Sequence, residues 1–155
     1  SLAIVGLLIS IIWISTERQR VEVSRSFKLV LLGVLALLIV QILLGTQVRE
    51  QIDEIAKTTA NRKLWIAQLD VRVLVHRSFS VLIFISSAWL FWRNYKNDYS
   101  FFSLGALLVF IFLEVISGAV MYYLNVPKIL QPVHLLLSVG MFSFAFWAVL
   151  RSKIR

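Results

Sequence analysis

The chain of 155 residues contains no cysteine, only two histidines, and few charged residues, which make up 15% of it. Without cysteine there can be no disulfide, thiolate metal site, cysteine nucleophile or covalent haem attachment through Cys-x-x-Cys-His within this chain. The sequence also has no phosphate-binding glycine loop and no nucleotide fingerprint. These absences exclude several enzyme classes before any fold is considered.

What the chain does have is apolar residues, at 59% of the total. A soluble domain is usually nearer half apolar and a quarter charged. The apolar residues form five runs, at about 2–14, 29–46, 73–92, 101–124 and 133–150. The last four are long enough to cross about 30 Å of hydrocarbon, and the first is short. Because backbone groups in lipid must bond internally, the runs predict an all-α integral membrane protein of five helices.

The net charge is +8, and the basic residues cluster between the apolar runs, which favours a membrane topology over nucleic-acid binding. If the helices alternate, segments 15–28, 93–100 and 151–155 lie on one side. These hold nine Lys and Arg, including Arg18, against three acids, including Glu17. The positive-inside rule places them in the cytoplasm. The 47–72 and 125–132 loops are then outside, with the other seven basic residues.

Two connections have a predicted structure of their own. The 47–72 loop is the longest, and the spacing of Val48, Ile52 and Ile55 indicates an amphipathic helix lying on the outer surface. Pro127 and Pro132 favour a tight turn in the 125–132 loop.

An internal repeat links the last four runs. The second run ends in QILLGTQV at 41–48, and the fourth ends in EVISGAV at 114–120, with the glycines Gly45 and Gly118 in register. The third and fifth runs both open with His-x-x-x-Ser, at His76 and His134. Two helix-loop-helix units in tandem predict an up-down four-helix bundle, with both histidines near its outer end. The glycines would allow close helix approach.

The matched histidines suggest a cofactor site. Neutral imidazole is a good iron ligand, and the cores of helix bundles often hold cofactors. We therefore predict a haem held between His76 and His134. Two alternatives remain open: each histidine could be an interfacial residue with a hydrogen-bond partner, or the pair could join Asp70 or Asp53 in a zinc site.

Cations near the predicted site could bind the haem propionates. Arg77, Arg49 and Lys128 are the candidates, although cations at this depth also suit lipid headgroups. Glu114 is the acid predicted to lie well inside a span, so it should face the bundle interior. It is either a functional residue or a protonated packing residue.

Several segments resemble the haem A synthase family. They are QILLGTQVREQID at 41–53, Arg62 and Trp65, HRSFS at 76–80, and QPVH at 131–134. The family has eight spans in two homologous four-helix halves. The resemblance implies that residues 28–151 are the C-terminal, haem-binding half, with the outer loop 47–72. It also implies that residues 1–15 are the last helix of a preceding half that this sequence lacks.

The resemblance also implies a function. The family comprises oxidoreductases that convert a methyl group of haem O to formyl, making haem A for cytochrome oxidase. It implies an inner or plasma membrane location, haem O as the substrate, and haem O synthase and an electron donor as suggested partners besides the lipid bilayer. No nucleic-acid partner is expected. In this half, a haem B would have His76 and His134 as axial iron ligands, with Arg77 and Arg49 also binding it.

The same comparison predicts no catalytic residue in this half. The family's catalytic glutamate closely precedes the first histidine of the other half, whereas Val73 occupies the position three before His76 here. This half alone is therefore expected not to be catalytic. Two other functions stay open. A b-type electron-transfer cytochrome would usually need more than one histidine pair, and a non-catalytic assembly module would bind no haem.

Overall fold

The computed structural model describes residues 2–15, 20–99 and 101–155, so Glu17 and Arg18 lie outside the described residues. All five predicted helices are present. They are α1 (Leu2–Ser15), α2 (Arg25–Thr58), α3 (Val71–Lys96), α4 (Phe102–Tyr123) and α5 (Leu130–Arg151). Helices α2 to α5 are long and apolar enough to cross a membrane. The all-α prediction is confirmed, and the chain is a multi-pass membrane protein.

The four long helices form a closed bundle. Helix α2 packs against α3 and α5, and α4 packs against the same two helices, so α3 and α5 occupy opposite corners. Helix α1 packs against the outside of α5. Large apolar side chains on the outer faces, such as Leu43, Val81 and Leu136, are exposed. An outer surface of this kind is suited to lipid rather than water.

The three basic segments meet at one end of the bundle, as helix alternation predicts. The Phe27 and Tyr99 rings are 4.9 Å apart, and Lys28 Nζ donates to the backbone oxygens of Val149 and Ser152 at 2.8 and 2.7 Å. Two short strands that the sequence did not predict, β1 (Val21–Val23) and β2 (Ser152–Ile154), pair in parallel at this end. We call it the basic end.

The main apolar core fills the bundle next to the basic end. Its members include Phe27, Leu31, Leu104 and Ala145, each at most 1% exposed. A second, smaller core lies at the opposite end and consists of Ile52, Ile55, Trp65 and Val126. The histidines lie at that opposite end, which we call the histidine end.

Helix α2 corrects one prediction. The helix expected on the surface within the 47–72 loop is instead an unbroken extension of α2 to Thr58. Residues 46–58 contain no glycine or proline to stop the helix. The extension buries Ile52 and Ile55 against Trp65, so tertiary packing fixes it to the bundle. The connection itself is reduced to residues 59–70, with 3₁₀ turns at Arg62–Leu64 and Ile66–Gln68.

The turn between α4 and α5 is tight, as its prolines predicted. Asn125 and Val126 both have positive φ angles, of 56° and 57°, which is unfavourable for a β-branched residue. Val126 is held there by burial beside Trp65 and by Arg62 Nη1, which donates to its carbonyl at 3.0 Å. Pro132 lies in the first turn of α5, where a missing backbone N–H costs no helical hydrogen bond.

The paired histidine site

The two histidines face each other across the bundle. His76 is near the start of α3 and His134 near the start of α5, and these helices run in the same direction from opposite corners. The centroids of the two imidazole rings are 6.5 Å apart, with an interplanar angle of 65°. The prediction that the repeat brings the histidines to one level is confirmed.

Each histidine ring packs against a glycine of the neighbouring helix. A Cβ atom added to Gly45 would lie 3.3 Å from His76 Cε1, and one added to Gly118 would lie 3.4 Å from His134 Cε1. The glycines were predicted only to let helices approach each other. The structure gives them a narrower role, because each leaves space for one imidazole. The equivalence of the two contacts supports the internal repeat.

Hydrogen bonding fixes the tautomer of His134. Ser117 Oγ lies 2.8 Å from His134 Nδ1 and donates its hydrogen to the Glu114 carbonyl at 2.9 Å. A hydroxyl group has one hydrogen to donate, so Ser117 Oγ accepts from Nδ1. Glu114 Oε2 lies 3.3 Å from the same nitrogen, a polar contact that is not a hydrogen bond. Nδ1 therefore carries the proton, and Nε2 is left with a free lone pair.

His76 is held differently, through its backbone. Gln41 Nε2 donates to Ser80 Oγ at 2.6 Å and to the His76 carbonyl at 3.2 Å, which uses both amide hydrogens. His76 Nε2 is 3.5 Å from that same amide nitrogen, which is the longest of the three contacts. His76 Nδ1 is buried without a hydrogen-bond partner among the described residues. Neither ring nitrogen is held by a close hydrogen bond, so the one that carries no proton is available to a ligand.

Gln41 and Glu114 occupy equivalent positions of the repeat, four residues before Gly45 and Gly118. Gln41 is 6% exposed, and the Glu114 side chain is 13% exposed. The prediction that Glu114 faces the bundle interior is confirmed. Sequence reasoning assigned no role to Gln41 or Ser117. The register of the repeat could have identified Gln41, because it aligns with Glu114.

The predicted propionate ligands lie on the surface of the histidine end. Arg77 is exposed, with Cζ 5.0 Å from the centre of the Tyr122 ring. Arg49 is 54% exposed, and its Nε donates to both carboxylate oxygens of Asp53 at 3.1 Å. Lys128 is also exposed. The structure therefore gives both arginines partners other than the histidines.

The alternative zinc site finds no support in the described ranges. Asp53 pairs with Arg49, and Asp70 pairs with Arg72 at 2.9 Å. Across residues 2–15, 20–99 and 101–155, there is no group of three or more His, Cys, Asp or Glu side chains that could hold a metal ion. Structural zinc needs about four such ligands.

The start of α3 is fixed from two directions, which positions His76. Asp70 is the N-cap and accepts from the Arg72 backbone N–H at 2.8 Å. This hydrogen bond lowers the pKa of the Asp70 carboxyl below its usual range. Gln51, on the extension of α2, can also bond Asp70 when its amide oxygen faces the Asp70 N–H at 3.1 Å. The helix extension missed by the sequence prediction therefore supports the site.

The residues present fit a haem with two axial histidines. His76 and His134 would hold the iron from opposite helices of the bundle, since their ring centroids are 6.5 Å apart and imidazole is an established haem ligand. Metal-bound histidines usually donate their other N–H to a neighbouring acceptor, as His134 does here.

Comparison with known proteins identifies the family of the chain. No curated protein and no solved structure matches the chain. A family model described as COX15-CtaA, cytochrome oxidase assembly protein, matches residues 1–146, which is nearly the whole sequence. The resemblance to haem A synthases, based on the repeat and its histidines, is thereby confirmed. The chain belongs to the COX15-CtaA family of cytochrome oxidase assembly proteins, which act in haem A synthesis.

Proposed function

We propose that this chain is part of a haem A synthase, which oxidises the methyl group of haem O to formyl, and that it holds a haem B between His76 and His134. The observation that carries the proposal is the pair of imidazoles facing each other 6.5 Å apart, each packed on a repeat-related glycine. Family membership independently supports a role in cytochrome oxidase assembly.

The geometry favours an auxiliary role for this half. A bound haem would supply a one-electron centre, and two axial histidines would leave no open iron position for oxygen. Val73 stands where the family pattern of the other half has its glutamate. We therefore propose that the methyl oxidation takes place in a preceding half of the full protein, and that residues 1–15 are the last helix of that half.

The two surface arginines are proposed to bind the propionates. Arg77 follows His76 directly, and Arg49 lies one turn beyond Gly45 on α2. Arginine binds carboxylate through two parallel hydrogen bonds. On haem binding, Arg77 would exchange its contact with Tyr122, and Arg49 its pairing with Asp53, for a propionate.

Location and partners follow from the same proposal. We propose that the protein lies in a plasma or inner membrane, with the basic end in the cytoplasm and the histidine end outside. Haem O would be its substrate. Haem O synthase and a membrane electron donor would be its protein partners.

A visible spectrum of the purified chain tests the haem assignment. The wild type, expressed with ample haem in the cell, should show a reduced-minus-oxidised spectrum of low-spin b type. His76→Ala and His134→Ala should each lose it, because each removes an axial ligand. Ser78→Ala is the matched control, since Ser78 is exposed on α3 two residues from His76. A colourless wild type, or spectra unchanged in both histidine variants, would refute the proposal.

Carbon monoxide tests the number of axial ligands. With His76 and His134 both bound, the reduced wild type should not bind carbon monoxide, whereas any variant that retains haem after losing one histidine should. Rapid binding by the wild type would show an open iron position and would favour a catalytic role for this half.

A further inference from the structure

We infer, on the basis of the proposed haem site, that Glu114 is a positioning residue that makes the two axial histidines unequal. Through His134 it gives one side of the iron a more strongly donating ligand than the other. The conclusion rests on the contrast between the two repeat-related sites, in which a carboxyl group and an amide occupy the same position.

The first step is the contact itself. Glu114 Oε2 lies 3.3 Å from His134 Nδ1, and this nitrogen carries the proton because Ser117 Oγ can only accept from it. Glu114 Oε2 is buried and makes no hydrogen bond among the described residues, so the 3.3 Å approach to His134 Nδ1 is its one polar contact there. The carboxyl group therefore lies against the histidine, and Oε2 is not part of a wider hydrogen-bond network.

The second step is the isolation of this carboxyl group from other acidic and basic residues. Glu114 is the only charged residue in the sequence of α4, and α5 has no acidic residue. A carboxyl group at this depth of an apolar helix is costly unless it has a specific partner. The partner in contact with it is His134.

The third step is the comparison with His76. Its repeat-related neighbour, Gln41, donates both amide hydrogens to Ser80 Oγ and to the His76 carbonyl. The Gln41 amide oxygen has no hydrogen-bond partner among the described residues, so it accepts nothing from the His76 ring. An acceptor on the outer N–H makes an imidazole a stronger electron donor to its metal. His134 has Ser117 Oγ as such an acceptor and the Glu114 carboxyl group beside the same N–H, whereas His76 Nδ1 has neither. The two ligands therefore differ in donor strength.

Stronger donation stabilises ferric more than ferrous iron, and neighbouring hydrogen bonds are among the factors that set haem potentials. Glu114 should therefore hold the midpoint potential of the haem below the value that the bis-histidine site would otherwise have. It would do so without touching the iron.

The experiment measures the midpoint potential of the haem-loaded chain at one fixed pH. Glu114→Gln should raise the potential, and Gln41→Glu, which places a carboxyl group beside His76, should lower it. Low-spin electron paramagnetic resonance of the ferric protein should change in both variants, because the signal depends on axial ligand strength. Ser143→Ala is the control: Ser143 lies on α5 with its hydroxyl bonded to the Val139 carbonyl, and it should leave the potential unchanged.

The outcomes separate this inference from the haem assignment. A wild type without haem would overturn both. A haem-loaded wild type whose potential is unchanged in Glu114→Gln would overturn the inference alone. If Glu114→Gln loses its haem, Gln41→Glu decides: a lowered potential supports the inference, and an unchanged potential overturns it. A purely structural role for Glu114 would change thermal stability but not the potential of the correctly ligated haem.

Discussion

The glycine against each imidazole offers the sharpest test of how the fold builds the site. Gly45 and Gly33 lie on the same helix, α2, and both can be changed to alanine. At Gly33 a new Cβ would meet no atom within 4 Å, whereas at Gly45 it would lie 3.3 Å from His76 Cε1. The pair therefore separates the effect of helix propensity from the effect of the contact.

The expected magnitudes differ accordingly. In either position, alanine lowers the backbone entropy of the unfolded chain and should stabilise the helix by about 0.5–1 kcal/mol. At Gly45 this gain is opposed, because the His76 ring must move by a few tenths of an ångström. Functional sites tolerate displacements of only about 0.5 Å. We therefore expect haem affinity to fall roughly tenfold, as for changes to groups that orient metal ligands.

The assay is haem titration into the haem-free protein in detergent, together with thermal unfolding of both variants. Gly33→Ala should unfold at a slightly higher temperature and bind haem like the wild type. Gly45→Ala should bind more weakly. Equal haem affinities for the two variants would show that Gly45 does not shape the His76 pocket and would refute the reasoning.

Other positions yield separate expectations. Gly140→Ala should destabilise the bundle by about 1–3 kcal/mol, measured by thermal unfolding. The added Cβ would overlap the Phe110 ring, which packs edge-on against Phe144 and so has little room to move. Unchanged stability would contradict this expectation. The pKa of Asp70 is lower in the folded chain than in the unfolded chain. Its contribution to folding stability is therefore fully present above the unfolded-state pKa and is lost as the pH falls through the folded-state pKa. Asp70→Asn can still cap α3, but its side chain does not titrate, so the variant should lose less stability than the wild type below about pH 4. Thermal unfolding as a function of pH measures this, and equal losses in the two proteins would contradict the expectation.

The number and order of helices could be predicted because each span is a continuous apolar run, and lipid allows few alternatives for its backbone. The register of the repeat was equally informative. It placed His76 and His134 at one level, and it aligned Gly45 with Gly118. Because the two halves of the repeat pack in the same way, equivalent positions carry the same or similar residues.

Features that depend on tertiary contact could not be predicted in the same way. The extension of α2 has polar residues at most positions, so its pattern fits a surface helix equally well, and only packing of Ile52 and Ile55 against Trp65 decides between them. The hydrogen-bond direction at His134 depends on where the single Ser117 proton goes. The spacing of residues in the sequence does not indicate the direction of that hydrogen bond.

Lys28 offers a final prediction, at the end of the bundle away from the histidines. Its ammonium group donates to the carbonyls of Val149 and Ser152 and to Ser152 Oγ, at 2.8, 2.7 and 2.6 Å. These carbonyls lie at the C-terminus of α5, where helical acceptors lack partners and the helix dipole favours a cation. Lys28→Met keeps the length of the side chain but removes all three donors.

Hydrogen bonds from charged groups contribute about 1.5–3 kcal/mol to stability. Because Lys28 is only partly buried, solvent screening reduces this contribution. We therefore expect Lys28→Met to destabilise the chain by about 1–2 kcal/mol. Thermal unfolding in detergent measures the change. Lys153→Met is the control, because Lys153 is exposed on β2 at the same end and the substitution removes the same charge. If both variants lost equal stability, the effect would come from net charge and not from capping of α5. The haem spectrum should be unaffected in either variant, because the basic end and the histidine end contain separate apolar cores.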